Sequence, residues 1–269
     1  MKILYLLLRR LLGIRRHAMT TQENVIDCLR DDFGLLRVTE SGLYRFLYFG
    51  EKTEQSCCYV PDSAWLEYDY TRAMLLGLYW CRADYRATLL GLGGGSLANC
   101  LVRYFQPERV TAVELRPAVV ELARKWLGLS SDPCLQVLDG CAERYINQAP
   151  ESCDLLMVDL YMEGGLSRLQ LQTEFFQSCH RALRPGGLMV INQWQMGETG
   201  QPYAAEMLRE LFGDDYLCVE VDEGNILLFI PAGGRLTLDK DAMRLWADDQ
   251  EPRLGYSLRP YIESLRRAG

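Results

Sequence analysis

Between Gly34 and Val60 apolar and polar residues alternate in short runs separated by turn residues. Leu35-Leu36-Arg37-Val38 is followed by Glu40-Ser41-Gly42, then by the run Leu43 to Phe49, with Gln55 to Val60 as a third run. Alternation with period two predicts strands, here a small β-unit over residues 31–62. From Trp65 to Trp80 the apolar spacing changes to threes and fours, which predicts a buried helix. Short apolar runs then alternate with helical stretches. Strands are expected at Ala87–Leu92, Arg109–Glu114, Leu135–Leu138, Cys153–Leu160 and Leu188–Gln193, with helices around Leu97–Phe105, Pro117–Leu127 and Gln172–Leu183. Tyr216–Val221 and Asn225–Pro231, joined by Asp222-Glu223-Gly224, read as a closing hairpin. Two further helices are expected near Asp239–Trp246 and Pro260–Arg267.

Repeated β-α units of this length predict an α/β fold, a mostly parallel sheet covered by helices, with an antiparallel hairpin at its C-terminal edge. The expected division is an N-terminal helical or extension segment (1–30), the β-unit (31–62), a Rossmann-like domain (63–233) and a helical appendage (234–269). The apolar run Ile3–Leu8 is broken by Arg9-Arg10 and is too short for a stable membrane span. Residues 1–18 are read either as a helix on the body or as an extension upstream of Met19, with a basic amphipathic membrane-surface helix as the alternative.

The net charge of −7 over 269 residues argues against a nucleic-acid binder with a broad basic surface. The ten cysteines include no Cys-x-x-Cys pair and many sit in apolar runs, so a reduced cytoplasmic protein without a metal site is expected. Two histidines, His17 and His180, leave His-based dyads poorly supplied.

The chemistry gathers where strands end. In an open parallel sheet, ligands sit beyond the carboxyl ends of the strands. Gly91-Leu92-Gly93-Gly94-Gly95-Ser96 lies between a strand and a helix, where glycines allow a tight turn and close approach to a ligand. The third glycine of a dinucleotide fingerprint is absent, Ala98 standing in its place. Glu114 ends the second strand and is placed to accept ribose hydroxyls; Asp139-Gly140 follows the third and suits an adenine amine. Together they point to an adenosyl cofactor. Asp159 closes the fourth strand, beside the reacting end of such a ligand, where it could take a proton or hold a cation. Tyr161, Glu163 and Gly164-Gly165 form a candidate substrate loop.

From roughly Leu35 to Pro231 these motifs, in this order, resemble the spermidine synthase (polyamine aminopropyltransferase) family, which has the Rossmann-like class I methyltransferase fold. The resemblance implies that Glu114 holds the ribose, Asp139 the adenine, and that Asp159 accepts the proton. It adds Gln55 and Tyr70 as substrate residues, and a small-molecule substrate, a polyamine, as partner. The departures are specific. The family's Gly-Gly-Gly-Asp loop ends here in Ser96, its Tyr-His-Glu element reads Tyr70-Thr71-Arg72, and the second acid of Asp-x-x-Asp falls on Met162, with Glu163 beside it.

Fewer acids and an added Arg72 suggest a preference for intact S-adenosylmethionine over its decarboxylated form, Arg72 pairing with the carboxylate. Three functions therefore remain open: aminopropyl transfer with Asp159 as proton acceptor, methyl transfer on the same scaffold, and a non-catalytic binding or scaffold role. The exposed β-unit is also a candidate homodimer surface.

Overall fold

The structure, a computed structural model, describes residues 23–197, 199–222 and 224–268. The expected N-terminal helix or extension lies largely outside them. The β-unit begins earlier than its sequence pattern suggests. Strand β1 (Asn24–Asp31) joins β2 (Gly34–Ser41), β3 (Tyr44–Phe49) and β4 (Thr53–Tyr59) in an antiparallel meander of order β1-β2-β3-β4. β1 escapes a period-two reading because it is the outer strand, and its burial does not alternate cleanly. The stretch expected as one helix is shorter. Residues 65–68 are irregular, α1 spans Asp69–Met74, and a 3-10 segment continues over Leu75–Trp80.

The second sheet has eight strands in the order β14-β12-β13-β11-β8-β5-β6-β7. These are β5 (Arg86–Leu90), β6 (Arg109–Glu114), β7 (Leu135–Asp139), β8 (Cys153–Val158), β11 (Leu183–Trp194), β12 (Leu217–Glu220), β13 (Asn225–Pro231) and β14 (Arg266–Arg267). β5, β6, β7, β8 and β11 run parallel, whereas β13 is antiparallel to β11 and to β12. β8 reads CDLLMV and is buried throughout, because helices cover both faces of a parallel sheet and leave no polar side.

Helices α2 (Ser96–Cys100, with a π segment to Phe105) and α3 (Pro117–Trp126) share one apolar cluster with α1, the β-unit and the C-terminal helices α7 (Lys240–Leu254) and α8 (Arg259–Ser264). The opposite face is covered by α4 (Ala142–Asn147), α5 (Thr173–Arg181) and α6 (Ala205–Phe212). α6 has no counterpart in the sequence expectation. Its apolar face rests on a single fully buried residue, Leu208, so its stripe is narrow.

Strand order reverses between β5 and β8: the chain builds β6 and β7 to one side of β5, then returns to lay β8 on the other. Such a switch point opens a crevice at the carboxyl ends of the strands. The β-unit and the segment leading into α1 wall off one side of that crevice.

Candidate active site

A cavity of about 860 Å³ occupies the switch point, within the range that suits a small-molecule site. Its wall is made by the glycine loop after β5, the loops after β6 and β8, β4, residues 66–72, and the ends of β11 and β13.

The glycine loop is held from two directions. Gly91 has a φ of +96°, and a Cβ there would collide with the carbonyl of Asp159, so glycine lets the two loops approach. The Gly94 N–H donates to Ser56 Oγ on β4 at 2.7 Å, and the Gly95 N–H to the Leu92 carbonyl at 3.0 Å. Neither faces the cavity as a phosphate cradle would require, which accords with the missing dinucleotide glycine. Ser96 Oγ donates to the Cys57 carbonyl at 3.3 Å. The β-unit is thus stitched to the loop through β4.

Glu114 is buried at the end of β6, where its carboxylate accepts from Leu92 N (3.1 Å) and Arg116 N (3.0 Å) and also from Gly93. Burial raises its carboxyl above the ordinary value despite these donors. Asp139 pairs in register with Glu114 on the neighbouring strand but is exposed. Neither Asp139 nor Gly140 lines the cavity, whose wall passes to Cys141 and Ala142 instead.

Asp159 faces the cavity from the loop after β8. It accepts from Asn192 Nδ2 at 2.8 Å and from the Tyr70 hydroxyl. Burial outweighs both bonds and pushes the carboxyl up to about 6. Tyr161 lines the same wall; its hydroxyl donates to the Asn192 carbonyl at 3.4 Å, and burial raises it well above the phenolic range. Gln55 lines the cavity from β4.

Of two further expected substrate residues, one borders the cavity and one does not. Arg72 borders the cavity, but its guanidinium donates to the Leu66 carbonyl at 2.7 Å and lies over the rings of Tyr256 (4.4 Å) and Trp65 (5.3 Å), with Asp69 at 3.8 Å. Trp65 and Tyr256 form an aromatic seat that a one-helix reading cannot show. The Arg72 charge is thus already engaged by groups of the protein. Glu163 sits at the tip of a small hairpin, β9 (Tyr161–Met162) and β10 (Gly165–Leu166), and its carboxylate lies over Gly50 of the β-unit. Thr53 Oγ1 donates to its carbonyl at 3.2 Å. It does not line the cavity.

Sequence reasoning passed over several residues of the wall. Glu54, Glu67 and Asp69 arrive with the β-unit and the segment into α1, Asp222 with the β12–β13 turn, and Asn192 and Asn225 from within strands. Among the described residues the wall carries six carboxylates and two guanidiniums. The second guanidinium, Arg116, is buried and bound to Asp31. The cavity is acidic. The described residues contain no cluster of His, Cys, Asp and Glu that could hold a metal ion, and no described helix is long and apolar enough to cross a membrane. All ten cysteines are free thiols.

A family model described as the spermine/spermidine synthase domain matches residues 71–211, more than half of the chain. The chain belongs to this family. It is 27% identical over 235 residues to a polyamine aminopropyltransferase of Chromobacterium violaceum, covering 86% of this chain and 89% of that protein. In fold, this family member is similar to a probable spermidine synthase from Corynebacterium glutamicum, with a TM-score of 0.69, 20% identity, and coverage of 82% of this chain and 86% of that one. It is also similar to a spermidine synthase solved in complex with the transition state analogue AdoDATO, with a TM-score of 0.66, 17% identity, and coverage of 78% and 74%.

Proposed function

We propose that this protein transfers the aminopropyl group of decarboxylated S-adenosylmethionine to a small amine such as putrescine. The chemistry is a displacement. The amine nitrogen attacks the carbon next to the sulfonium, a C–N bond forms as the C–S bond breaks, and methylthioadenosine leaves with the electron pair. The nitrogen's surplus proton passes to Asp159.

Asp159 carries this reading. A carboxylate with a value near 6 is ionised at neutral pH yet basic enough to take a proton as the nitrogen becomes positive. It faces a wall whose remaining charge is largely carboxylate, which favours a cationic acceptor. The same balance favours the decarboxylated donor. Intact S-adenosylmethionine would bring a carboxylate into an acidic cavity whose two guanidiniums are engaged with Asp31 and with Leu66, Trp65 and Tyr256. Glu114 keeps acceptor capacity beyond its three backbone donors, enough for ribose hydroxyls. The family membership and the named activity of the Chromobacterium relative support the same reading.

The test is to incubate the purified full chain with either form of the donor and putrescine, and to follow products by mass spectrometry. Methylthioadenosine and aminopropylated amine should form from the decarboxylated donor, and D159N should abolish both. Methylated amine and S-adenosylhomocysteine from the intact donor would replace this reading with methyl transfer.

A further inference from the structure

Two asparagines inside the sheet stand behind Asp159. Asn192 lies on β11 and Asn225 opens β13, and both are buried, at 1% and 8% exposure. Within the antiparallel β11–β13 pair, Asn192 stands opposite Leu227 and Trp194 opposite Asn225. The two amides are therefore diagonal neighbours on one face, within side-chain reach. Their hydrogen bonds run in one direction. Asn225 Nδ2 donates to Asn192 Oδ1 at 2.9 Å, and Asn192 Nδ2 donates to Asp159 Oδ1 at 2.8 Å. The second N–H of Asn225 reaches the Tyr161 hydroxyl at 3.4 Å, and that hydroxyl donates to the Asn192 main-chain oxygen.

A primary amide is nearly symmetric in shape but opposite in chemistry at its two ends. Turned over, Asn192 would set a carbonyl oxygen against the Asp159 carboxylate. The carboxylate disfavours that orientation from one side, and the Asn225 N–H at Oδ1 disfavours it from the other. We propose that Asn225 is a positioning residue, which fixes the amide of Asn192 so that its N–H, and not its oxygen, meets Asp159. The arrangement holds the Oδ1 oxygen of Asp159 in place beside the Tyr70 hydroxyl bond. It rests on the reading of Asp159 as proton acceptor and adds to it a residue that acts wholly through another.

The surroundings of Asp159 make the effect readable. The titratable groups bonded to it or acting electrostatically on it are Tyr70 from α1 and Tyr161 from β9. Glu114, Cys141 and Asp222 line the same cavity from the ends of β6, the start of α4 and the β12–β13 turn. No charge of opposite sign contributes to its shift, so the asparagine and tyrosine donors alone counter its burial. Losing the Asn192 donor must raise the pH at which Asp159 titrates.

The experiment is a double-mutant cycle on the full chain with Asn225→Leu and Asn192→Leu. It is read by the pH titration of the Asp159 carboxyl in carbon-13 spectra, assigned by its disappearance in D159N. This readout needs no turnover. Failure of the wild type to form methylthioadenosine would count against aminopropyl transfer and leave the positioning role to be judged on the titration. Asn225→Leu should move the Asp159 titration up by about one pH unit, and Asn192→Leu by at least as much. The double variant should match Asn192→Leu, because Asn225 has nothing left to orient. With an active wild type, kcat of Asn225→Leu should fall roughly tenfold at neutral pH with KM for the amine nearly unchanged. Asn225→Ala removes the donor without adding a charge, and should raise the titration as well if the leucine variant does not fold. An unmoved Asp159 titration in the folded Asn225 variants, or additive shifts in the cycle, would overturn the proposal.

Discussion

Arg116 and Asp31 meet in a two-pronged ion pair, Nε to Oδ2 at 2.9 Å and Nη2 to Oδ1 at 2.7 Å, that ties the end of β1 to the loop after β6. The guanidinium is 2% exposed and lies 4.6 Å from the centroid of the Phe49 ring, while the Arg116 main-chain N–H holds Glu114. The β-unit and the Glu114 carboxylate therefore share one residue. Asp31→Ala would strand a buried cation and should destabilise the fold by about 3–5 kcal/mol, measurable by urea unfolding. Burial alone would raise the Asp31 carboxyl, but the bonds from Arg116 and the Phe33 N–H win and hold it below its ordinary value. Its stabilising contribution is then present above about pH 4 and is lost as pH falls through the folded-state value. Asp31→Asn should flatten that acid limb. An unchanged limb would mean the pair does not couple folding to pH.

Asp159 titrates with the opposite sign. Its folded-state value near 6 stands above that of an unfolded chain, so ionisation works against the fold. The penalty is absent below about pH 4, grows as pH rises through 6 and is complete above it, reaching about 3 kcal/mol. D159N should accordingly raise the thermal midpoint at pH 8 and leave it little changed at pH 4, while turnover is lost. Equal midpoints at both pH values would show that Asp159 is better solvated than its setting implies.

The switch-point architecture was readable because central parallel strands leave their mark as unbroken apolar runs, and an acid placed right after such a run, as at Glu114 or Asp159, stands out. Walls made by distant segments leave no such mark. Glu54 reaches the cavity with the β-unit, which docks on the glycine loop through Ser56, and Glu67 and Asp69 reach it with the segment into α1, all far from the glycine loop in the chain. The sequence reading that acids had been lost from the substrate site was therefore incomplete. The seat of Arg72 leaves no mark for the same reason, since it depends on Tyr256, which arrives with the C-terminal helices. Asn192 did carry a signal. An amide inside the run Leu188–Trp194 must find partners when buried, and those partners turn out to be Asp159 and Asn225.

Gly50 and Glu163 join the β9–β10 hairpin to the β-unit. Gly50 has a φ of +67°, and a Cβ there would run into the Glu163 carboxylate. Gly50→Ala should cost about 1 kcal/mol or more through backbone strain, and should push the β9–β10 hairpin off its seat. The expected kinetic result is a KM for the amine raised several-fold, with a smaller change in kcat. Glu163→Ala, which removes the obstructing carboxylate, should partly restore KM in the Gly50→Ala background. No rescue would mean that strain at Gly50, and not the clash, is responsible.

Ser96 stands where the resembling family has an aspartate, and its hydroxyl is turned to the Cys57 carbonyl. Under the proposed function, discrimination between the two forms of the donor would rest on the carboxylates of the wall acting together, without one placed at the end of the glycine loop. Ser96→Asp would add that charge close to the donor's tail. It should tighten the decarboxylated form and weaken intact S-adenosylmethionine, widening the ratio of their dissociation constants by roughly tenfold, about 1.4 kcal/mol. Calorimetric titration of both ligands into both proteins measures this directly, with methylthioadenosine as control, because it lacks the tail and should bind each protein alike. If Ser96→Asp weakened all three ligands equally, the residue would support the loop through Cys57 and would not touch the donor's tail.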